Sequence, residues 1–221
     1  MDREQTWQLI AEQRLRLADL LEALSDDEWQ RPSLCTGWRV RDVAAHVALA
    51  PQGPSPWSMV AAGVRARGSF NRLNDNLTFA HAARPTHQLV DELRRYATSR
   101  SLPAVTNERN IAFDILVHGQ DIAVPLGRDH PMPLDGAMAG ASRVWSMGWP
   151  FWARRRLRGV TLAATDTGWT VGQGPEVRGP IRALLLLVTG RGTAAVPELA
   201  GPGIACLPAY AAPRRLDESA T

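Results

Sequence analysis

Residues 107–124 read NERNIAFDILVHGQDIAV, and the spacing inside this stretch decides the fold. Ile111, Ile115 and Ile122 recur at helical intervals, which predicts a helix from about Asn107 to Val124 with those residues inward; Pro125 and Gly127 stop it. Asp114 and His118 lie four residues apart, so their side chains stack on one side of the helix about a turn apart. That side is also the apolar one, because Asp114 falls three after Ile111 and His118 falls three after Ile115. Two ionisable groups therefore project toward the interior of a bundle. Burying a carboxylate costs several kcal/mol unless it is paired, hydrogen-bonded or metal-bound, so something must compensate it.

Working outward, Val40, Val43, Ala44 and Val47 mark another helical stripe that ends before Pro51, and His46 repeats the anomaly on its border. Two imidazoles and a carboxylate form the ligand type of zinc sites with an open fourth position and of non-haem iron sites. A hydrogen-bonded core residue is the ordinary alternative for each ring. Asp121 is placed either to orient an imidazole, which metal-bound histidines usually need, or to lie solvated on the helix. Because 68 residues separate His46 from Asp114, such a site exists only in the folded bundle.

The remaining segments extend the same grammar. Trp7, Ile10, Leu17, Leu20, Leu21 and Leu24 predict an amphipathic helix over Thr6–Leu24, with Arg14, Arg16 and Asp19 turned outward. Residues 26–37 read as a connection and 51–56 as a loop. Further helices are expected from Trp57 to about Arg72, from an N-cap at Thr86 through Tyr96 to a close at Pro103, and over Asp135–Met147. After Gly148 the pattern changes. Residues 159–164 and 169–171 predict a hairpin, Glu176–Arg178 another extended piece, and Pro180 the start of an apolar helix through Leu187 that ends near Gly190. The expected fold is α+β: a helical part over 1–152, a small α/β part over 153–207 and a flexible tail over 208–221.

Composition removes several chemistries. The chain has 221 residues, and all 25 of its Lys+Arg residues are arginine, which excludes Schiff-base, pyridoxal-phosphate and P-loop lysine mechanisms. The formal charge of +3 is dispersed, apart from Arg154, Arg155, Arg156 and Arg158, and argues against nucleic acid as a partner. The longest apolar run, Ala183–Val188, is far short of the ~20 residues that span a bilayer. No secretory signal or membrane anchor is visible, so the expected location is the cytoplasm. Cys35 and Cys206 are expected as free thiols, each a small buried hydrophobe. His81, His87 and His130 read as exposed polar residues. No Gly-x-Ser-x-Gly elbow accompanies a histidine, and Gly172-Gln173-Gly174 is better explained as a hairpin turn than as part of a dinucleotide fingerprint. Trp145, Trp149, Phe151 and Trp152 read as a packing cluster between the two parts.

Two segments, WQRPSLCTGWRVRDVAAH over Trp29–His46 and DILVHGQDIAVPLG over Asp114–Gly127, resemble the DinB-like, mycothiol-dependent maleylpyruvate isomerase family. Residues 169–191, WTVGQGPEVRGPIRALLLLVTGR, are similar to that family's second, sterol-carrier-like domain. The resemblance implies a four-helix DinB-type bundle that holds a divalent metal, usually zinc, through His46, Asp114 and His118. In the isomerase the acidic ligand is a glutamate, so Asp114 is a shorter arm. The resemblance also implies an arginine supplied to the active site by the second domain, for which Arg191 is the candidate. The implied activity is that of a mycothiol-dependent transferase or isomerase, with mycothiol as cosubstrate and an electrophilic small molecule as substrate. A metal-dependent hydrolase, or a non-catalytic small-molecule binding protein, would use the same scaffold differently.

Overall fold

The computed structural model describes residues 1–52, 70–102 and 106–208. Helix α1 (Arg3–Glu22) opens on a reciprocal cap in which Asp2 accepts the Gln5 backbone N–H and Gln5 accepts that of Asp2. This pairs two donors that no helical turn can reach. Helices α2 (Asp26–Gln30), α3 (Val40–Leu49), α4 (Phe70–Ala82), α5 (Thr86–Arg95), α6 (Glu108–Leu126) and α7 (Leu134–Ser146) follow.

Four local expectations change. Residues 26–37 are more than a connection, because Ser25 and Glu28 cap each other and set off α2; that Ser-x-x-Glu signal is in the sequence. Thr86 is the first residue of α5, preceded by Pro85, and not its cap. Helix α4 runs well past the expected end near Arg72, while the start expected at Trp57, the loop from 53 to 56, Pro103 and the tail from 209 lie outside the described residues. Arg14 does not turn outward. It is 2% exposed, and its guanidinium donates to the carbonyls of Tyr96, Ala97 and Ser99 just past α5. Carbonyls past a helix end have no N–H of a next turn to accept from, and the charged donor serves all three, the Tyr96 carbonyl also accepting the Ser99 N–H at 3.0 Å.

Helix α6 is the axis of the molecule. It presents Phe113, Leu116 and Val117 to one apolar cluster, shared with Trp7, Ile10, Ala137, Ala141 and Val144. It presents Ile115 and Ile122 to a second, shared with Leu17, Leu21, Val43, Val47, Leu89 and Leu93. At about 100° per residue, Asp114, His118 and Asp121 fall within roughly 60° of each other, between these two faces. The polar stripe is thus forced inward by the packing on either side of it.

Beyond a short helix α8 (Ala153–Arg156), strands β1 (Thr161–Ala164), β2 (Thr170–Gly172) and β3 (Glu176–Gly179) form one sheet in the order β2-β1-β3. The expected hairpin is present, with Leu162 opposite Val171 in antiparallel pairing, and β3 runs parallel to β1 with Leu162 opposite Val177. Helix α9 (Ile181–Val188) then buries its whole Ala183–Val188 run, and its first N–H is taken by Asp166 at 2.8 Å from the hairpin turn. Leu184, Leu185 and Leu186 join the same cluster as Phe113 and Leu116. A last short helix, α10 (Gly192–Ala195), follows. The architecture is α+β, as expected. The aromatic cluster is only half realised: Trp145 and Phe151 pack on the core, but Trp149 and Trp152 are 52% and 48% exposed. Among the described residues no helix is long and apolar enough to cross a membrane.

Candidate metal centre

Helices α3 and α6 pack against each other and bring His46, Asp114 and His118 together. His46 Nε2 lies 3.7 Å from Asp114 Oδ2, and His118 Nε2 lies 3.3 Å from Asp114 Oδ1. The two rings stand nearly edge to face, with centroids 5.0 Å apart. The three ligand atoms all fall within 4.8 Å of one another. Two donors each about 2.1 Å from a tetrahedral zinc stand roughly 3.4 Å apart, so this spacing suits one shared cation. The side chains of Asp114 and His46 are 33% and 21% exposed while His118 is 11% exposed; access is therefore from the Asp114 and His46 side. Trp38 lies 5.5 Å from the His46 ring and donates its indole N–H to Asp75 of α4 at 2.9 Å, which packs one flank of that imidazole.

The far side of His118 is built differently. Its Nδ1 is 2.8 Å from Asp121 Oδ2, and Asp121 is fully buried. Arg191 donates to both oxygens of the same carboxylate, Nε to Oδ1 at 3.0 Å and a terminal nitrogen to Oδ2 at 2.7 Å. The Cys35 thiol donates to Oδ2 at 3.0 Å and sits 3.8 Å from His118 Nδ1. Cys35 is therefore not the apolar filler expected of it; it is half-buried among three polar partners, and Cys206 is exposed. Cys35, His118 and Asp121 also approach one another closely enough to hold a metal. That second triplet already has a cation, because the Arg191 guanidinium takes the position from which a metal would engage Asp121. Of the two sets, His46–Asp114–His118 is the one whose carboxylate is not gripped by an arginine side chain among the described residues; its ion pairs there are to the two imidazoles.

Charge follows geometry. Burial by itself would raise the Asp114 carboxyl, but His118 and His46 beside it outweigh that and hold it well below the usual carboxylate range. Burial likewise pushes the His118 imidazole down, and Asp114, Asp121 and Cys35 reverse this and leave it well above its ordinary value. Asp121 is raised by burial and lowered further by Arg191 and His118, with a net fall. Arg14 is lowered by its burial to about 10, against the pull of Asp114, and remains charged at neutral pH. Its proximity to the site went unread in the sequence because an arginine on an amphipathic helix border ordinarily reaches water.

Backbone chemistry explains how the Cys35 loop reaches Asp121. Pro125 lies in the last turn of α6 and has no N–H to give to the carbonyl four residues back. That carbonyl, on Asp121, instead accepts the Leu34 N–H at 3.1 Å. Of the remaining histidines only His87 is exposed. His81 is buried and pairs with Glu92 at 2.6 Å. His130 is buried against Gly119, where an added Cβ would come within 2.5 Å of its Nε2. Gly119→Ala is accordingly expected to lower the urea midpoint by an amount equivalent to about 1–3 kcal/mol, as overpacking does; an unchanged midpoint would show that the His130 ring moves freely.

Comparison with known proteins agrees with this architecture. Residues 10–108 match the family model described as the mycothiol maleylpyruvate isomerase N-terminal domain, a span that contains His46 and ends before Asp114. No curated protein matches the chain. Among solved structures, the mycothiol-dependent maleylpyruvate isomerase superposes with a TM-score of 0.61 at 13% identity, over 91% of this chain and 93% of that one. A histidine-to-alanine variant of it gives a TM-score of 0.61 at 14% identity over the same shares. At this identity the likeness is one of fold. The resemblance read in the sequence thus meets an independent match over residues 10–108, to the model described as the mycothiol maleylpyruvate isomerase N-terminal domain.

Proposed function

We propose that this protein is a metal-dependent enzyme in which His46, Asp114 and His118 hold a divalent cation, zinc by its donor set, and present a small thiol to an electrophilic substrate. The observation that carries the reading is the convergence of two imidazoles and one carboxylate that no arginine grips at ligand spacing, exposed on one side only. A divalent cation there supplies one thing: it strips the proton from a coordinating thiol, whose free pKa of ~8.5 leaves it mostly protonated at pH 7. The protein's residues supply the rest. His118 is held by Asp121 so that its Nε2 faces the site, Trp38 flanks His46, and the half-buried Asp114 faces the open side. The match of residues 10–108 supports mycothiol as the thiol, and the reaction proposed is an isomerisation or a transfer to carbon in which the thiol is regained or retained.

Elemental analysis of the purified protein should find about one zinc or similar ion per chain, and consumption of a small electrophile should require added mycothiol. A protein without metal, or equal turnover without any thiol, would overturn the reading; the second result would select water activation instead. Metal uptake should also depend on pH in a stated direction. The raised His118 ring keeps a proton that the cation must displace. Apparent affinity should therefore rise as pH rises, by about tenfold per unit while one proton is released, and flatten above the ring's elevated pKa. Competition titrations with a chelator across neutral pH read this slope.

A further inference from the structure

The geometry points to Asp121 as a positioning residue that selects the tautomer of His118, and to Arg191 as the part that holds Asp121 in place. This extends the metal reading above and rests on it for its consequence, though not for its structure. Neutral imidazole has one N–H and one lone pair, and only the nitrogen with the lone pair binds a cation. With Nδ1 2.8 Å from the Asp121 carboxylate, the proton is kept on Nδ1 and the lone pair on Nε2, the atom that faces Asp114. A carboxylate that accepts from a single ring can rotate away. Here it cannot, because Arg191 binds both oxygens and Cys35 donates to one of them.

Arg191 is itself anchored. Its backbone N–H closes on the Leu186 carbonyl at 2.8 Å, and its remaining terminal nitrogen donates to the Thr189 carbonyl at 2.8 Å. Between them Gly190 has φ +90°, a left-handed turn that suits glycine and swings the chain back toward α6. Helix α9, buried to its end, thus fixes a guanidinium that fixes a carboxylate that fixes a metal-facing ring. Each Arg191 nitrogen has a protein partner among the described residues, so the arginine acts on the site through Asp121. Orienting partners of this kind are worth 10–100-fold in metal affinity.

The test uses the intact chain. Nitrogen-15 NMR of the metal-free wild type, at a pH where the His118 ring is neutral, should show the proton on Nδ1; a proton on Nε2 would overturn the proposal without need of any variant. Asp121→Asn should weaken cobalt or zinc binding by 10–100-fold and mix the two tautomers. Arg191→Lys, which keeps the charge but loses the two-point grip, should give a smaller loss in the same direction. Affinities within twofold of wild type in both variants would reduce the array to a structural tie. Should the wild type bind no metal while His118 holds its proton on Nδ1, the positioning stands and the metal reading falls.

Discussion

Alanine at His118 should abolish both stoichiometric metal and thiol-dependent turnover, and alanine at His46 should do the same with a different side effect. Removing one of three protein ligands costs more than the 10–100-fold of a supporting contact. The loss of a cation that stabilises charge by several kcal/mol translates into a rate loss on the order of 10³-fold or more. The two variants separate in stability. His46 meets only Asp114 among the ion pairs of the described residues and is 21% exposed, so His46→Ala should unfold at nearly the wild-type denaturant concentration. His118 is tied to Asp114, Asp121 and Cys35 and is more deeply buried. His118→Ala leaves the buried Asp121 and the half-buried Asp114 each short of a partner and should lose stability as well as metal. Metal retained at one ion per chain in either variant would remove these residues from the ligand set.

The candidate ligand residues are legible for a reason that can be stated on one helix. Asp114 and His118 sit at helical spacing among Ile111, Ile115 and Ile122, and apolar periodicity fixes which side of a helix faces a bundle. The real arrangement is subtler, since the polar stripe lies between two apolar clusters and not within one. His46 followed from the same argument on a shorter stripe. The hairpin and the buried α9 were equally plain, the first from its turn residues and the second from an uninterrupted apolar run.

What lay out of reach was partnership across long separations. Nothing near Arg14 announces that it will close the end of α5, and an arginine on a helix border usually snorkels to water. His81 and His130 read as exposed because each stands in a loop-like or helix-start context with no partner at useful spacing, yet tertiary packing buries both. Cys35 is a small residue in an irregular loop, and its role depends on Pro125 ninety residues away freeing a carbonyl for Leu34. Arg191 could be marked only through the family resemblance; its grip on Asp121 is a property of how Gly190 turns the chain.

That grip also bears on stability. Arg191→Gln should destabilise the protein by about 3–5 kcal/mol at neutral pH, the usual loss when one member of a buried ion pair is removed and the other is left charged. The pH dependence shows which group is left. In the wild type Asp121 is held below its ordinary range, with burial opposing and Arg191 and His118 prevailing. A depressed carboxylate contributes stability that is present above its unfolded pKa of ~3.9 and fades as pH falls below it. Without Arg191 burial prevails, the carboxyl rises, and acidification protonates the group whose charge causes the defect. The gap between variant and wild type should therefore be widest near neutrality and narrow as pH falls through the variant's raised carboxyl pKa, which lies above ~3.9, and on toward the depressed one of the wild type, measured by urea unfolding at each pH. A gap constant with pH would assign the loss to packing. Adding Asp121→Asn to Arg191→Gln should restore part of the stability, because the buried charge is gone, so the two substitutions cost less together than their sum. It should not restore metal affinity, since His118 then lacks the charged acceptor that holds its proton on Nδ1. Stability recovered without metal affinity would separate the two tasks of Asp121, neutralising a buried arginine and aiming an imidazole.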